Sequence, residues 1–98
     1  GSSQAEYAAF IDLYTNYNIL IVAAAGNGGS SETFYPASYD SVVSVAAVDH
    51  NKNVASFSQR NDEVDIAAPG VDILSTVPMG TGTVGSLACL AVFILAVP

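Results

Sequence analysis

The sequence predicts an α/β domain with a mostly parallel sheet and some antiparallel additions. A segment with apolar residues three, four and seven positions apart, typical of a helix, stands at the amino end. It leads into a continuous apolar run, Ile19–Ala25, of the kind found in strands that are covered on both faces. Further short segments rich in valine and isoleucine follow, separated by turn residues. A helix that precedes a buried strand, with more strands after it, indicates a layered α/β fold.

The first predicted element is a helix that starts after Ser3. Ser3 and Glu6 fit a capping box, in which the serine accepts a hydrogen bond from the first turn and the glutamate reaches back. Asn16–Asn18 ends the helix. The helical spacing predicts one apolar face made of Tyr7, Phe10, Ile11 and Tyr14.

Four strand candidates follow the first strand. Val42–Val48 is predicted to be a buried strand that ends at the polar turn Asp49–Asn53. Val54–Ser58 and Val64–Ala68 are shorter candidates, and Val71–Val77 is the last before a proline. We expect these segments to extend the sheet that the first strand begins.

Composition excludes several classes of protein. The 98 residues carry 2 Lys+Arg against 9 Asp+Glu, a net charge of -7, which argues against binding to nucleic acid. A single cysteine, Cys89, excludes an intramolecular disulfide framework and reads as a small hydrophobic residue. The apolar run Leu87–Val97 is shorter than the roughly 18–20 residues of a membrane span. We interpret it either as a buried strand or helix or as a corrupted end of the sequence.

A glycine-rich loop could suggest a dinucleotide site. Gly26 and Gly28 follow a buried strand, and Asp49 comes about twenty residues later, as in dinucleotide-binding folds. The third glycine of that motif is replaced by Ser31, and Pro36 interrupts the segment that would have to form the crossover helix. We therefore do not predict nucleotide binding.

The polar turn after the second strand resembles the start of a calcium loop. Asp49, Asn51 and Asn53 have the right spacing, but Val54 replaces the required glycine and Arg60 the required glutamate. His50, in the same turn, has no nucleophile beside it in the sequence. A solvated polar turn is the better interpretation of this segment.

Asn27 is the residue on which a functional interpretation depends. The first strand ends in three alanines and a glycine, which leave room for a ligand or another chain to approach the backbone. An asparagine there can project an amide donor into that space. Asn27 and Gly28 can equally supply the left-handed conformations of a simple turn. The residues alone leave both interpretations open.

A combination of motifs resembles the subtilisin-like serine peptidases, or subtilases. The resemblance covers residues 1–78, in the order and spacing of that family. Its five blocks are Ile21–Asn27, Tyr35–Tyr39, Val42–Asp49, Ala55–Ser58 and Ile66–Val71. It implies the C-terminal part of a three-layer subtilisin-like domain in residues 1–78, which is incomplete. Residues 79–98 are then a divergent apolar tail that is either the start of an insertion or an artefact.

The resemblance implies peptide-bond hydrolysis by acyl transfer in a secreted parent protein. Asn27 matches the oxyanion-hole asparagine of the family, whose side chain donates to the developing oxyanion. The implied walls of the substrate pocket are Ala24, Ala25, Gly26 and Gly28 on one side and Phe34, Tyr35, Pro36 and Ala37 on the other. The Tyr35–Pro36 bond is expected to be cis. No cofactor is implied for the chemistry, but the backbone carbonyls of Ala37, Tyr39 and Val42 match a weak structural site for calcium or a monovalent cation.

The catalytic triad is not found in this sequence. The Asp and His motifs of the family are absent, and neither Ser75 nor Ser86 has the neighbours of the family's nucleophile. The chain alone is therefore expected to be inactive, because the rest of the catalytic domain is missing. The alternative is a non-catalytic binding or structural module that keeps the subtilase fold.

Overall fold

A computed structural model of the chain describes residues 1–73 and the backbone of a strand at 92–96. The predicted α/β class is confirmed: one helix lies against a four-stranded sheet. Among these residues, the one helix is too short and too polar to cross a membrane. The elements are α1 (Gln4–Tyr17), β1 (Ile19–Ala24), β2 (Val42–Val48), β3 (Ile66–Pro69) and β4 (Val92–Ala96).

The sheet is mostly parallel, as predicted. Its strand order is β3-β2-β1-β4, with β1–β2 and β2–β3 parallel and β4 antiparallel to β1. Ile21 is opposite Val42 in one neighbour and Ile94 in the other. Ile21 and Ala23 of β1 are 2% and 1% exposed and form the centre of the core. The parallel pairs place the carboxyl ends of β1, β2 and β3 at the same edge of the sheet.

The start of α1 confirms half of the predicted capping box. Ser3 is the N-cap, and its Oγ accepts a hydrogen bond from the Glu6 amide at 3.3 Å. The expected return contact from the Glu6 side chain is wrong, because the Ser3 amide donates to the Tyr39 hydroxyl at 2.8 Å instead. At the other end, Asn18 takes a left-handed conformation and its amide donates to the Leu13 carbonyl.

The apolar face of α1 differs from the predicted one. Phe10 and Leu13 pack against the core, whereas Ile11 and Tyr14 are 37% and 55% exposed. Ile11 is rotated by about 100° from Phe10 around the helix axis, so a contact stripe centred on Phe10 and Leu13 leaves it outside. Tyr7 does lie on the face that contacts the core, since the centroid of its ring is 5.4 Å from that of Tyr39.

Two of the shorter strand predictions need correction. Val54–Ser58 is not a strand: Val54 forms an isolated bridge with Val48, and the chain then turns, with the Ser58 amide donating to the Ala55 carbonyl. A side chain replaces a strand-to-strand backbone hydrogen bond at this point: Ser58 Oγ accepts from the Ala47 amide of β2 at 2.9 Å.

The remaining strand predictions are met in part. β3 begins at Ile66, two residues later than predicted, because a turn closed by the Val64 amide and the Asn61 carbonyl precedes it. Of the predicted strand Val71–Val77, residues 71–73 are not in a strand, and the others lie outside the described residues. The apolar run Leu87–Val97 contains β4.

Candidate functional site

The candidate site is the loop that follows β1, residues 26–32, called here the glycine loop. Ala25 extends the pairing of β1 with β2, since its amide donates to the Val45 carbonyl at 2.9 Å. Gly26 then turns the chain with a φ of 124°, a conformation that residues with a side chain rarely adopt. Asn27 follows at the edge of the sheet and is exposed. The loop thus presents Asn27 to the outside immediately beyond a buried strand.

A second segment, residues 57–60, runs beside the glycine loop and is bonded to it through the backbone. The Gly29 amide donates to the Phe57 carbonyl at 2.8 Å. The amides of residues 59 and 60 donate to the carbonyls of Gly26 and Ser30 at 3.1 and 2.9 Å. These three bonds fix a loop that belongs to no helix or strand.

Gln59, in this second segment, inserts its side chain under the glycine loop. It is 0% exposed. Its Oε1 accepts from the Ser30 amide at 3.0 Å, and its Nε2 donates to Ser30 Oγ at 3.0 Å and to the Glu32 carbonyl at 2.8 Å. Asn61 Nδ2 donates to the same Glu32 carbonyl at 3.0 Å. The far end of the glycine loop is therefore held by side-chain amides.

The two glycines that flank Asn27 are in close contact with Gln59 and Phe34. A methyl group on Gly26 would lie 2.8 Å from Gln59 Cγ and 3.1 Å from Phe34 Cδ2. A methyl group on Gly28 would lie 2.8 Å from Gln59 Oε1 and 3.5 Å from Phe34 Cε2. Glycine is thus favoured at position 26 by the turn and by both side chains, and at position 28 by the close approach of the Gln59 side chain.

The predicted pocket residues lie on two neighbouring parts of the chain. Phe34 is 41% exposed and stands over the glycine loop, which brings it together with Gly26 and Gly28. The Tyr35–Pro36 bond is cis, as expected. Ala25 and Ala37 are buried, and Ala24, Tyr35 and Pro36 are half-buried. The structure gives positions to all of these residues, and their contacts with a substrate stay a prediction.

The three residues of the predicted cation site lie on one turn that leads into β2. Ala37, Tyr39 and Val42 are all buried, and the Val42 amide donates to the Tyr39 carbonyl at 3.0 Å. A carbonyl oxygen keeps a second lone pair after one such bond, so the donor chemistry fits a hard cation. Within residues 1–73, no group of three His, Cys, Asp or Glu side chains is placed to hold a metal ion.

The polar turn after β2 uses its carboxylate for its own backbone. Asp49 Oδ1 accepts from the amides of Asn51 and Asn53 at 2.9 and 3.0 Å. These are the contacts of a turn-forming aspartate. His50 in this turn is exposed, and Cys89 lies outside the described residues.

Gln59 is the residue of this site that the sequence analysis missed. It directly follows the predicted strand Val54–Ser58, and a lone glutamine carries no periodic signal. The pair of glycines around Asn27 was the available hint, because glycine is often found where another group approaches the backbone closely.

Comparison with known proteins decides the family. The model of the subtilase family matches residues 1–89. The chain belongs to the subtilase family.

Individual subtilases agree closely with the chain where they align. It is 56% identical over 62 residues to a thermophilic serine proteinase from Bacillus sp. (strain AK1) and 55% identical over 69 residues to subtilisin DY from Bacillus licheniformis. The crystal structure of the psychrophilic subtilisin-like protease Apa1 from the Antarctic psychrotroph Pseudoalteromonas sp. AS-11 matches with a TM-score of 0.78 and 55% identity over 84% of the chain.

The aligned part is a small portion of each relative. It covers 63% and 66% of this chain but only 16% and 25% of the two sequence relatives, and 19% of the Apa1 chain. The chain therefore spans at most a quarter of the length of these subtilases. The fold and the family are established over this span.

Proposed function

We propose that this chain is part of a secreted serine endopeptidase that hydrolyses peptide bonds in polypeptides by acyl transfer. Its glycine loop supplies the oxyanion-hole donor Asn27 and part of the substrate pocket, whereas other parts of the complete protein supply the triad. The observation that carries the proposal is the position of Asn27: exposed, directly beyond a buried parallel strand, and between two tightly packed glycines, in a subtilase.

The role of Asn27 follows from the charge that develops during the reaction. When a serine attacks the peptide carbonyl, a histidine takes the serine proton and the carbonyl oxygen becomes negatively charged. The side-chain NH₂ of Asn27 donates a hydrogen bond to that oxygen, and the backbone N–H of the nucleophilic serine is the second donor. A donor held in place before the reaction stabilises the transition state more than the substrate, and so it raises kcat.

We expect the residue that precedes the cleaved bond to bind in an apolar pocket beside Asn27. In the subtilase resemblance, small residues at the end of β1 form one side of this pocket, and the segment from Phe34 to Ala37 forms the other. We expect a preference for large apolar residues at this position over charged ones. Comparing kcat/KM for peptides that differ only there tests the preference, and equal values for both kinds would contradict it.

The turn of Ala37, Tyr39 and Val42 is proposed to bind a calcium or monovalent cation weakly through its carbonyls. Because such an ion binds only the folded state, adding it to ion-free protein should raise the unfolding temperature, with a stabilisation that grows logarithmically once the ion concentration exceeds the Kd. Unfolding temperatures that do not change with calcium, sodium or potassium would contradict the proposal of a cation site in this turn.

The experiment that tests the function uses the complete protein. A serine-reactive fluorophosphonate should label it, and Asn27→Ala should lower kcat while KM changes little. The size of this loss, about 10²–10³, is the known effect of the corresponding change in subtilisin and is taken over from it rather than derived from this chain. Asn51→Ala, in the exposed turn after β2, is the matched control. Absence of labelling would instead support a non-catalytic module, and unaltered kcat in Asn27→Ala would exclude the donor role.

A further inference from the structure

We propose that Gln59 is a positioning residue for Asn27, which fixes the backbone on both sides of the asparagine and thereby the direction of its carboxamide. The inference rests on the proposed function, in which Asn27 donates to the oxyanion. Gln59 contacts neither substrate nor reacting atoms in this scheme. It acts through the glycine loop.

The hydrogen bonds of Gln59 give it the capacity to hold the loop. Its side-chain oxygen accepts from the Ser30 amide, and its nitrogen donates to Ser30 Oγ and the Glu32 carbonyl, with all three distances between 2.8 and 3.0 Å. The amide group is completely buried, so water cannot easily replace a lost partner. Any movement of residues 30–32 away from Gln59 would leave buried polar groups without partners.

Packing extends this hold to the near end of the loop. The positions that a Cβ would occupy on Gly26 and Gly28 are each 2.8 Å from an atom of the Gln59 side chain. The backbone N–H of Gln59 also donates to the Gly26 carbonyl, at 3.1 Å. Asn27 therefore lies between two residues that rest on the same side chain.

Such support matters because an oxyanion donor has to be held closely. Donor geometry must be kept within about 0.5 Å and 10–20° of the productive arrangement, and a displacement of about 1 Å can cost 10²-fold in rate. The loop from Gly26 to Glu32 contains no helix or strand of its own. Among the described residues, the side-chain bonds of the loop are an internal one, from the Glu32 amide to Ser30 Oγ at 3.3 Å, and those made by Gln59 and Asn61.

The test is a double-mutant cycle between positions 59 and 27 in the complete protein. Gln59→Met keeps the volume and the methylene contacts but removes the three hydrogen bonds. It should lower kcat by about 10- to 100-fold with KM within about twofold. In the Asn27→Ala background the same change should lower kcat by no more than about twofold, because the donor it positions is already gone.

The matched control is Gln4→Met, at the exposed first position of α1 and the only other glutamine in the chain. It should leave kcat and KM unchanged in both backgrounds. Should Gln59→Met fail to fold, Ser30→Ala takes its place. It removes one of the three Gln59 bonds together with the weaker bond from the Glu32 amide, and it should lower kcat by a few-fold with the same dependence on Asn27.

Three results would overturn the proposal. An unaltered kcat in Gln59→Met excludes a positioning role. A loss of the same factor in the Asn27→Ala background indicates a general structural role, which leaves the proposed function intact. No loss of kcat in Asn27→Ala itself overturns the proposed function, and the role of Gln59 with it.

Discussion

The Tyr39 hydroxyl is bonded to both backbone groups of Ser3, although the two residues are 36 positions apart. It accepts from the Ser3 amide at 2.8 Å and donates to the Ser3 carbonyl at 3.2 Å. Tyr39 itself is 6% exposed and packs against the rings of Tyr7, Phe10 and Tyr35. One side chain thus ties the start of α1 to the turn that precedes β2.

Tyr39→Phe should therefore destabilise the protein without changing its core packing. We expect the free energy of unfolding to fall by about 0.5–1.5 kcal/mol. The loss is modest because both partners of the hydroxyl lie on the exposed residue Ser3 and can bond to water instead. Denaturant unfolding of the complete protein, after treatment with the fluorophosphonate, measures this loss. Tyr17→Phe, at a ring that is 65% exposed, is the control, and equal stability of the two variants would contradict the prediction.

Ser58→Ala should cost more, because it leaves a buried amide without a partner. Ser58 is 1% exposed, and its Oγ accepts from the Ala47 amide in β2. The expected loss is about 1–3 kcal/mol in the free energy of unfolding. Ser56→Ala, two residues earlier and exposed, should have little effect in the same measurement. A Ser58 variant as stable as that control would show that the Ala47 amide finds another partner.

Gly26→Ala should impair both stability and activity. Its φ of 124° strains a residue with a side chain by about 1–3 kcal/mol, and the added methyl would press on Gln59 and Phe34. We expect kcat to fall because the next residue is Asn27. Gly1→Ala has open space around it and serves as the control. Retention of full kcat would mean that the loop adapts without moving Asn27.

The 98-residue chain by itself should be poorly stable and should self-associate. No residue of α1 is fully buried. Large apolar side chains remain exposed on the helix, in the segment that follows the glycine loop and on β3. Examples are Tyr14, Tyr17, Phe34 and Ile66. Exposed apolar area of this kind favours association. Sedimentation at several concentrations measures it, and cooperative, reversible unfolding of a monomer would contradict the prediction.

The parts of the fold with strong hydrophobic patterns were predictable from the sequence. β2 has the predicted bounds, Val42–Val48, because six apolar residues and one serine stand between two polar turns. Val54–Ser58 misled because its alternation of apolar and polar residues imitates a strand, whereas Ser58 uses its side chain to satisfy β2. The hydrophobic pattern of a sequence does not show where a side-chain oxygen, instead of a backbone carbonyl, accepts a hydrogen bond from a strand.

The site was predictable only where it coincides with a family motif. Asn27 and the Phe34–Ala37 segment were named from their motifs, and their neighbourhood was not. The contact between Gln59 and the glycines flanking Asn27 joins residues about thirty positions apart. Nothing in the local sequence around Gln59 indicates which distant loop it supports, because that depends on the path of the chain between β2 and β3.

The amide of Gln59 has a direction, with its oxygen toward the Ser30 amide and its nitrogen toward Ser30 Oγ and Glu32. A shorter side chain at position 59, or one with donor and acceptor exchanged, would need a simultaneous change at position 30 to restore the hydrogen bonds. In directed evolution of this protein, positions 30 and 59 should therefore be randomised as a pair, since a change at either position alters the hydrogen-bond partner of the other.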